Sequence, residues 1–133
     1  MAKLPSLSLL WELQQLLEKI QQNSQIILVE GKKDRKALLD FGISSKQILT
    51  LDKPLFAMVE EVVKRVEEGH SSSIVVLTDM DQQGKKLYAT LSRDLQRHGL
   101  SIDNALRHFL LKNTPLRHIE GLKTYMQRLE HSS

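Results

Sequence analysis

The chain has 133 residues, of which 41% are hydrophobic and 26% charged, with a net charge of +3 and a pI of about 9.2. This size predicts one domain, and the lack of cysteine excludes disulfides and thiolate metal ligands. No apolar run approaches the roughly 20 residues that cross a bilayer, and no signal-peptide pattern is visible, so we expect a cytoplasmic protein without membrane contact. The mild basicity favours a polyanionic partner.

The first half of the chain predicts a leading helix followed by strands and helices in alternation. Residues 1–23 are expected to form an N-terminal accessory helix, with Trp11 extending its apolar face. The elements predicted after it are a strand over 26–30, a helix from Lys33 to Phe41, a strand from Gln47 to Leu51 and a helix from Pro54 to Glu68.

The second half continues the alternation. It predicts a strand over 74–78, a helix from Gly84 to His98, a strand from Ala105 to Leu111, a helix from Ile119 to Leu129 and a frayed tail over 130–133. Strands and helices that alternate at this length indicate an α/β fold. We therefore expect residues 24–129 to form one domain, in which helices flank a central four-stranded parallel sheet.

Acidic residues stand directly after two of the predicted strands. Glu30 follows the first strand, and Asp79 and Asp81 follow the third. Ligands of open parallel sheets bind beyond the carboxyl ends of the strands, where these carboxylates would repel each other unless a cation joined them. Mg²⁺ or Mn²⁺ held by Asp79 and Asp81 would suit such oxygen ligands. Glu30 could reach the same ion or act as a general acid or base.

Glycines and basic residues accompany these carboxylates. Each acidic turn leads into a helix N-terminus, which favours phosphate, and a glycine there lets the backbone approach a ligand. His118 could line the mouth of the site, although packing at a helix start and solvent exposure also explain it. The lysines could equally be solvated helix surface. The expected phosphate-binding residues are Gly31, Lys32, Lys33, Gly84, Lys85, Lys86 and His118.

The paired motifs resemble the Toprim domain of topoisomerases, bacterial-type primases, overcoming-lysogenization-defect nucleases and the ribonuclease that matures 5S ribosomal RNA. The resemblance rests on Val29-Glu30-Gly31 and on Thr78-Asp79-Met80-Asp81 with Gly84, and it covers residues 24–125. Glu-Gly-Lys-Lys-Asp over 30–34 is most similar to the nuclease branch. Segments 109–112 and 118–121 are similar to small stand-alone Toprim proteins and the 5S ribonuclease.

The resemblance implies a Toprim (Rossmann-like) fold and an acidic Mg²⁺ site that acts on phosphodiester bonds. In this chain Asp79 and Asp81 would hold the ion, Glu30 would be a general acid or base or a further ligand, and Asp34 would join the metal ligands. The implied catalytic residues are Glu30, Asp79 and Asp81. Lys32 and Lys33 would neutralise a substrate phosphate.

The expected function is that of a small nuclease acting on structured RNA or DNA, in RNA processing or DNA repair. The alternative is a non-catalytic Toprim module that binds nucleic acid or a partner protein. A phosphatase with an aspartyl nucleophile is disfavoured by Gln83 and by the earlier Glu30. Scarce aromatic residues predict contacts mainly with phosphates. The sequence leaves the oligomeric state open.

Overall fold

In the described part of the chain, four short strands form one parallel sheet. In the computed structural model, which describes residues 5–131, the spatial strand order is β2-β1-β3-β4, and every neighbouring pair is parallel. Ile27 of β1 lies opposite Ile48 of β2 on one side and Val75 of β3 on the other. The strands are β1 (Ile27–Val29), β2 (Ile48–Thr50), β3 (Ser73–Val76) and β4 (Ser101–Ile102).

Within residues 5–131, six α-helices surround the sheet. They are α1 (Ser6–Gln22), α2 (Lys32–Leu39), α3 (Leu55–Glu67), α4 (Gln82–Arg97), α5 (Ala105–Asn113) and α6 (Leu122–His131), with short 3₁₀ turns at Ser45–Gln47 and Ile119–Gly121. Parallel strands covered by helices define a Rossmann-like α/β fold and confirm the predicted architecture at that level. Within residues 5–131, every helix is too short or too polar to cross a bilayer.

The core consists of two apolar layers, one on each face of the sheet. Successive strand residues point to opposite faces, so Ile27 and Val29 enter one layer while Ile26 and Leu28 enter the other. Helices α1, α2, α5 and α6 cover the first layer, and α3 and α4 cover the second. This double covering explains why the strand sequences are almost continuously apolar.

The predicted strand from Ala105 to Leu111 is wrong. This segment belongs to α5, whose buried Leu106 and Leu110 are four positions apart and share one helix face. The apolar run around Phe109 is short, and the spacing of its hydrophobic residues fits a strand as well as a helix. The true fourth strand, β4, is only two residues long and too short to leave a pattern.

Two smaller expectations at the chain ends are also wrong. Trp11 is 60% exposed, whereas Leu13 is fully buried, because two residues are separated by about 200° around a helix. Glu130 and His131 belong to α6 rather than to a frayed tail. Residues 1–4 of the expected accessory helix and 132–133 of the expected tail lie outside the described residues.

Candidate functional site

The carboxyl ends of β1 and β3 bring two of the expected acidic residues into contact. These strands are adjacent in the sheet, so the turns that follow them share one edge. The Glu30 Oε2 atom accepts a hydrogen bond from the backbone N–H of Asp79 at 2.7 Å. The two acidic turns are therefore joined directly, across 49 positions of sequence.

Asp79 is held from the opposite side by the segment that precedes α6. Its Oδ1 accepts a hydrogen bond from the backbone N–H of Ile119 at 3.0 Å, and its Oδ2 lies 3.2 Å from the Nδ1 atom of His118. One residue further on, the N–H of Met80 donates to the carbonyl of Arg117 at 2.7 Å. Arg117, His118 and Ile119 thus all contact the β3–α4 turn and hold it in place.

Asp81 and Gly84 shape the start of α4. The Oδ1 atom of Asp81, the N-cap residue, accepts a hydrogen bond from the Gly84 N–H at 2.8 Å. A Cβ atom added to Gly84 would lie 2.0 Å from the carbonyl oxygen of Asp79 and 2.6 Å from its carbonyl carbon. Gly84 is therefore required because the helix rests on the Asp79 backbone, a packing role that the sequence analysis did not foresee.

Gly31 and Asp34 form the start of α2 under weaker constraints. Gly31 has a φ of −146°, which any residue adopts, and an added Cβ would approach no closer than 3.9 Å to Asp34 Oδ2. Asp34 is 6% exposed, and its Oδ2 accepts a hydrogen bond from the Gly31 N–H at 2.9 Å. Asp34 thus caps α2, and neither role requires a ligand.

Within residues 5–131, the group best placed to hold a metal ion consists of Asp79, Asp81 and His118. Each offers one ligand atom, and these atoms lie within 4.8 Å of one another. Glu30 and Asp34, expected as further ligands, lie beside this group rather than in it. His118 was expected to bind phosphate instead, since neither its loop nor its distance in sequence indicates a metal ligand.

Burial, together with the crowding of negative charge, raises the pKa of two carboxyl groups at this edge of the sheet. Burial raises the pKa of Glu30, and repulsion from Asp79, Asp81 and Asp34 adds to this, while the hydrogen bond from the Asp79 N–H opposes it. Burial likewise raises the pKa of Asp34. The hydrogen bond with Asp79 raises the pKa of His118. A cation at this edge would relieve the repulsion.

The carboxylate oxygens suit a hard divalent cation. The hydrogen bonds within residues 5–131 use Oε2 of Glu30 and Oδ1 of Asp81, and leave Oε1 and Oδ2 of these residues without a donor. Carboxylates match both Mg²⁺ and Mn²⁺, whereas an imidazole nitrogen favours transition metals. The donor set with His118 therefore fits Mn²⁺ at least as well as Mg²⁺.

A buried arginine supports the acidic turn from behind. Arg107 is 4% exposed, and its Nη1 donates to the carbonyl and to the hydroxyl oxygen of Thr78, the latter at 3.1 Å. Its Nη2 donates to the carbonyl of Asp79 at 3.0 Å. The guanidinium lies 4.6 Å from the centre of the Tyr88 ring. Arg107 lies in the segment predicted to be a strand, so no sequence pattern indicates its role.

The four expected phosphate-binding lysines lie near the starts of two helices. Lys32 and Lys33 are the first residues of α2, and Lys85 and Lys86 are the fourth and fifth residues of α4. All four are exposed, and none forms an ion pair with another residue of 5–131. Their ammonium groups are therefore available to an anion, and solvated surface remains the alternative.

The chain is similar along most of its length to proteins of the UPF0292 family. It is 30% identical over 113 residues to a UPF0292 protein of Methanocaldococcus jannaschii, covering 83% of this chain and 84% of that protein. It is 32% identical over 124 residues to one of Methanosarcina barkeri, covering 88% and 82% of the two chains. The chain therefore belongs to the UPF0292 family.

A solved structure of a protein from Aquifex aeolicus has the same fold. It superposes with a TM-score of 0.69 at 31% sequence identity, covering 83% of this chain and 94% of the other. No protein-family profile matches the chain.

Proposed function

We propose that this protein is a Toprim nuclease that cleaves phosphodiester bonds of structured RNA or DNA with a divalent cation. The observation that carries the proposal is the convergence of Asp79, Asp81 and His118 at one edge of the sheet, with Glu30 in contact beside them. Ligands of open parallel sheets bind at this edge. We also propose that it acts in the cytoplasm, in RNA processing or DNA repair.

The side chains divide into metal-binding and proton-transferring groups. Asp79, Asp81 and His118 would hold Mg²⁺ or Mn²⁺, which when bound would neutralise phosphate charge and acidify a water molecule. Glu30 would be the general base or acid, because its Oε1 is free of donors within residues 5–131 and burial raises its pKa above the usual value. Asp34 would act indirectly, by fixing the turn that carries Glu30.

The basic residues would position the polyanion. Lys32 and Lys33 on α2 and Lys85 and Lys86 on α4 flank the two acidic turns along the chain, and all four are exposed. Contacts of this kind add affinity without sequence preference and weaken steeply with salt. They would hold the backbone of the substrate while its phosphodiester bond lies at the acidic edge.

The Toprim assignment is supported by the roles of the motif residues. In Asp79-Met80-Asp81 the first carboxylate belongs to the site, the methionine is buried in the core, and the second carboxylate caps α4. Gly84 packs against the backbone of Asp79. The spacing from Asp81 to Gly84 corresponds to the first turn of α4. This turn begins at Asp81 and packs, at Gly84, against the backbone of Asp79.

A cleavage assay with matched variants tests the nuclease. Purified protein would be incubated with Mg²⁺ or Mn²⁺ and a panel of hairpin, single-stranded and duplex RNA and DNA. We expect cleavage that is lost on chelation and in Asp79→Asn and Asp81→Asn. Asp94→Asn is the matched control, because Asp94 lies on α4 and pairs with exposed arginines. Intact substrates with both metals, or cleavage retained in Asp79→Asn, would reject the proposal.

A non-catalytic nucleic-acid-binding module is the second candidate. It is favoured because Asp34, Asp79 and Asp81 all accept backbone hydrogen bonds, so each has a structural role even without a metal. For such a module, binding of RNA or DNA would be salt-sensitive, would persist in a chelator and would be unchanged by Asp79→Asn. Binding that required the divalent cation would exclude this candidate.

A further inference from the structure

A cavity opens beside the acidic turn, between α4 and α5. Its volume is about 240 Å³, and it is lined by Lys85, Tyr88, Asn104, Arg107, His108 and Leu111. Arg107 also donates hydrogen bonds to the carbonyls of Thr78 and Asp79. The cavity and the acidic site are therefore neighbours that share a buried arginine.

The lining combines flat and apolar surface with unused polar groups. Tyr88 is half-buried, with the guanidinium of Arg107 4.6 Å from its ring centre, and Leu111 is 40% exposed. The side chains of Lys85, Asn104 and His108 are exposed and form no hydrogen bond with other residues of 5–131. Stacking and apolar surface together with amide and cationic donors is the chemistry that recognises a nucleobase and its phosphate.

The size of the cavity restricts what it can accept. Sites for drug-sized ligands span roughly 300–1,000 Å³, so this cavity suits one base rather than an extended molecule. Bases in a duplex are stacked and paired, so only an unpaired nucleotide of a loop, bulge or single strand could place its base here.

We propose that this cavity holds one unstacked base of a single-stranded nucleic-acid segment, next to the phosphodiester that lies at the acidic site. The inference deepens the proposed nuclease function and rests on it for the position of the scissile bond. Tyr88 and Leu111 contact the base, Arg107 supports the Tyr88 ring, and Lys85 and His108 contact the adjoining phosphates. This proposal adds one contact with a base to the contacts, mainly with phosphates, that the sequence predicts.

Binding in a chelator tests the base contact separately from catalysis. Fluorescence anisotropy would compare a short single-stranded DNA with an abasic strand of equal length and charge, and with a duplex. Stacking of one base predicts that the intact strand binds about tenfold more tightly than the abasic strand. The duplex should bind more weakly than the intact single strand. Equal affinity for the intact and abasic strands would overturn the base pocket.

Variants of the cavity lining test whether the preference for the intact strand over the abasic strand arises in this cavity. Leu111→Ser should abolish the advantage of the intact strand over the abasic strand, and Tyr88→Leu should do the same if that variant folds. Leu7→Ser is the matched control, since Leu7 is an exposed leucine on α1, 61% accessible and outside the cavity. A base preference retained in folded Leu111→Ser, or lost in Leu7→Ser, would also overturn the pocket.

The two proposals fail in different ways. A base preference without any metal-dependent cleavage would reject the nuclease and retain the pocket. Metal-dependent cleavage with equal binding of intact and abasic strands would reject the pocket and retain the nuclease.

Discussion

The two acidic turns carry similar residues but are built differently. In the β3–α4 turn, Asp79 and its neighbours are fixed by Arg107, Ile119 and the carbonyl of Arg117, from two other parts of the chain. Within residues 5–131 the β1–α2 turn has fewer such contacts: Glu30 accepts a hydrogen bond from the Asp79 N–H, and the backbone of Glu120 lies against the Asp34 carboxylate. The β1–α2 turn is thus positioned partly by the β3–α4 turn and partly by the segment that precedes α6.

This difference indicates how the site keeps its geometry. The backbone of the turn with the two aspartates is packed and hydrogen-bonded on several sides. The Glu30 side chain itself is held through one carboxylate oxygen, which leaves the other oxygen for chemistry. A fixed ligand set beside a less constrained acid or base matches the division of labour in the proposed mechanism.

The largest expected effect is a difference in unfolding free energy between variants of Gly84 and Gly31. Gly84→Ala should cost at least about 4 kcal/mol of unfolding free energy or prevent folding, because its Cβ would lie 2.0 Å from the Asp79 carbonyl oxygen. Gly31→Ala should cost less than about 1 kcal/mol, since its conformation is ordinary and space is available. Urea unfolding of both variants measures the contrast. Similar losses would contradict it.

Removing the buried arginine should have the next largest effect. Arg107→Met would leave the carbonyls of Thr78 and Asp79 without their buried donor, which should cost roughly 2–4 kcal/mol of unfolding free energy. Arg93→Met, at an arginine with 59% of its side chain exposed, is the control and should change the stability by less than about 0.5 kcal/mol. Equal unfolding midpoints for the two variants would refute the supporting role.

The third expected effect is on metal affinity, which should fall in a variant of the β3–α4 turn and change little in a variant of the β1–α2 turn. Asp79→Asn should weaken Mn²⁺ binding roughly 10–100-fold, because it removes charge from the ligand group, and calorimetric titration measures this change. Asp34→Asn should leave the affinity within about threefold, since Asp34 acts through the α2 cap and an amide oxygen can still accept the Gly31 N–H. Equal losses in both variants would place Asp34 among the ligands.

The smallest expected effect is on the pH dependence of stability. Burial raises the folded-state pKa of Glu30 above its unfolded value, so its contribution favours folding below the unfolded pKa. That contribution is lost as the pH rises through the folded pKa. Without metal, the stability of Glu30→Gln relative to the natural protein should therefore increase as the pH rises from about 4 toward neutrality. Chemical unfolding across this range measures it, and a constant difference would contradict the shift.

The sequence predicts elements that have a clear hydrophobic pattern. It does not predict contacts between residues that are far apart in the chain. The apolar run ending at Glu30 and the run ending at Asp79 predicted two adjacent parallel strands, and the structure has both. The segment containing Arg107 has no decisive period, so α5 was mistaken for a strand. His118 reaches Asp79 across 39 positions, a proximity that no local pattern encodes.

The contacts that hold Asp79 also determine when the acidic site can form during synthesis of the chain. A nascent chain that ends before Arg117 already contains Glu30, Asp79 and Asp81, but it lacks the residues that hold Asp79 from the α6 side. Parallel strands also need long crossovers, so each contact across the site closes a long stretch of chain. The acidic centre is therefore completed only after Arg117, His118 and Ile119 have been synthesised, and its assembly brings together parts of the chain that are distant in sequence.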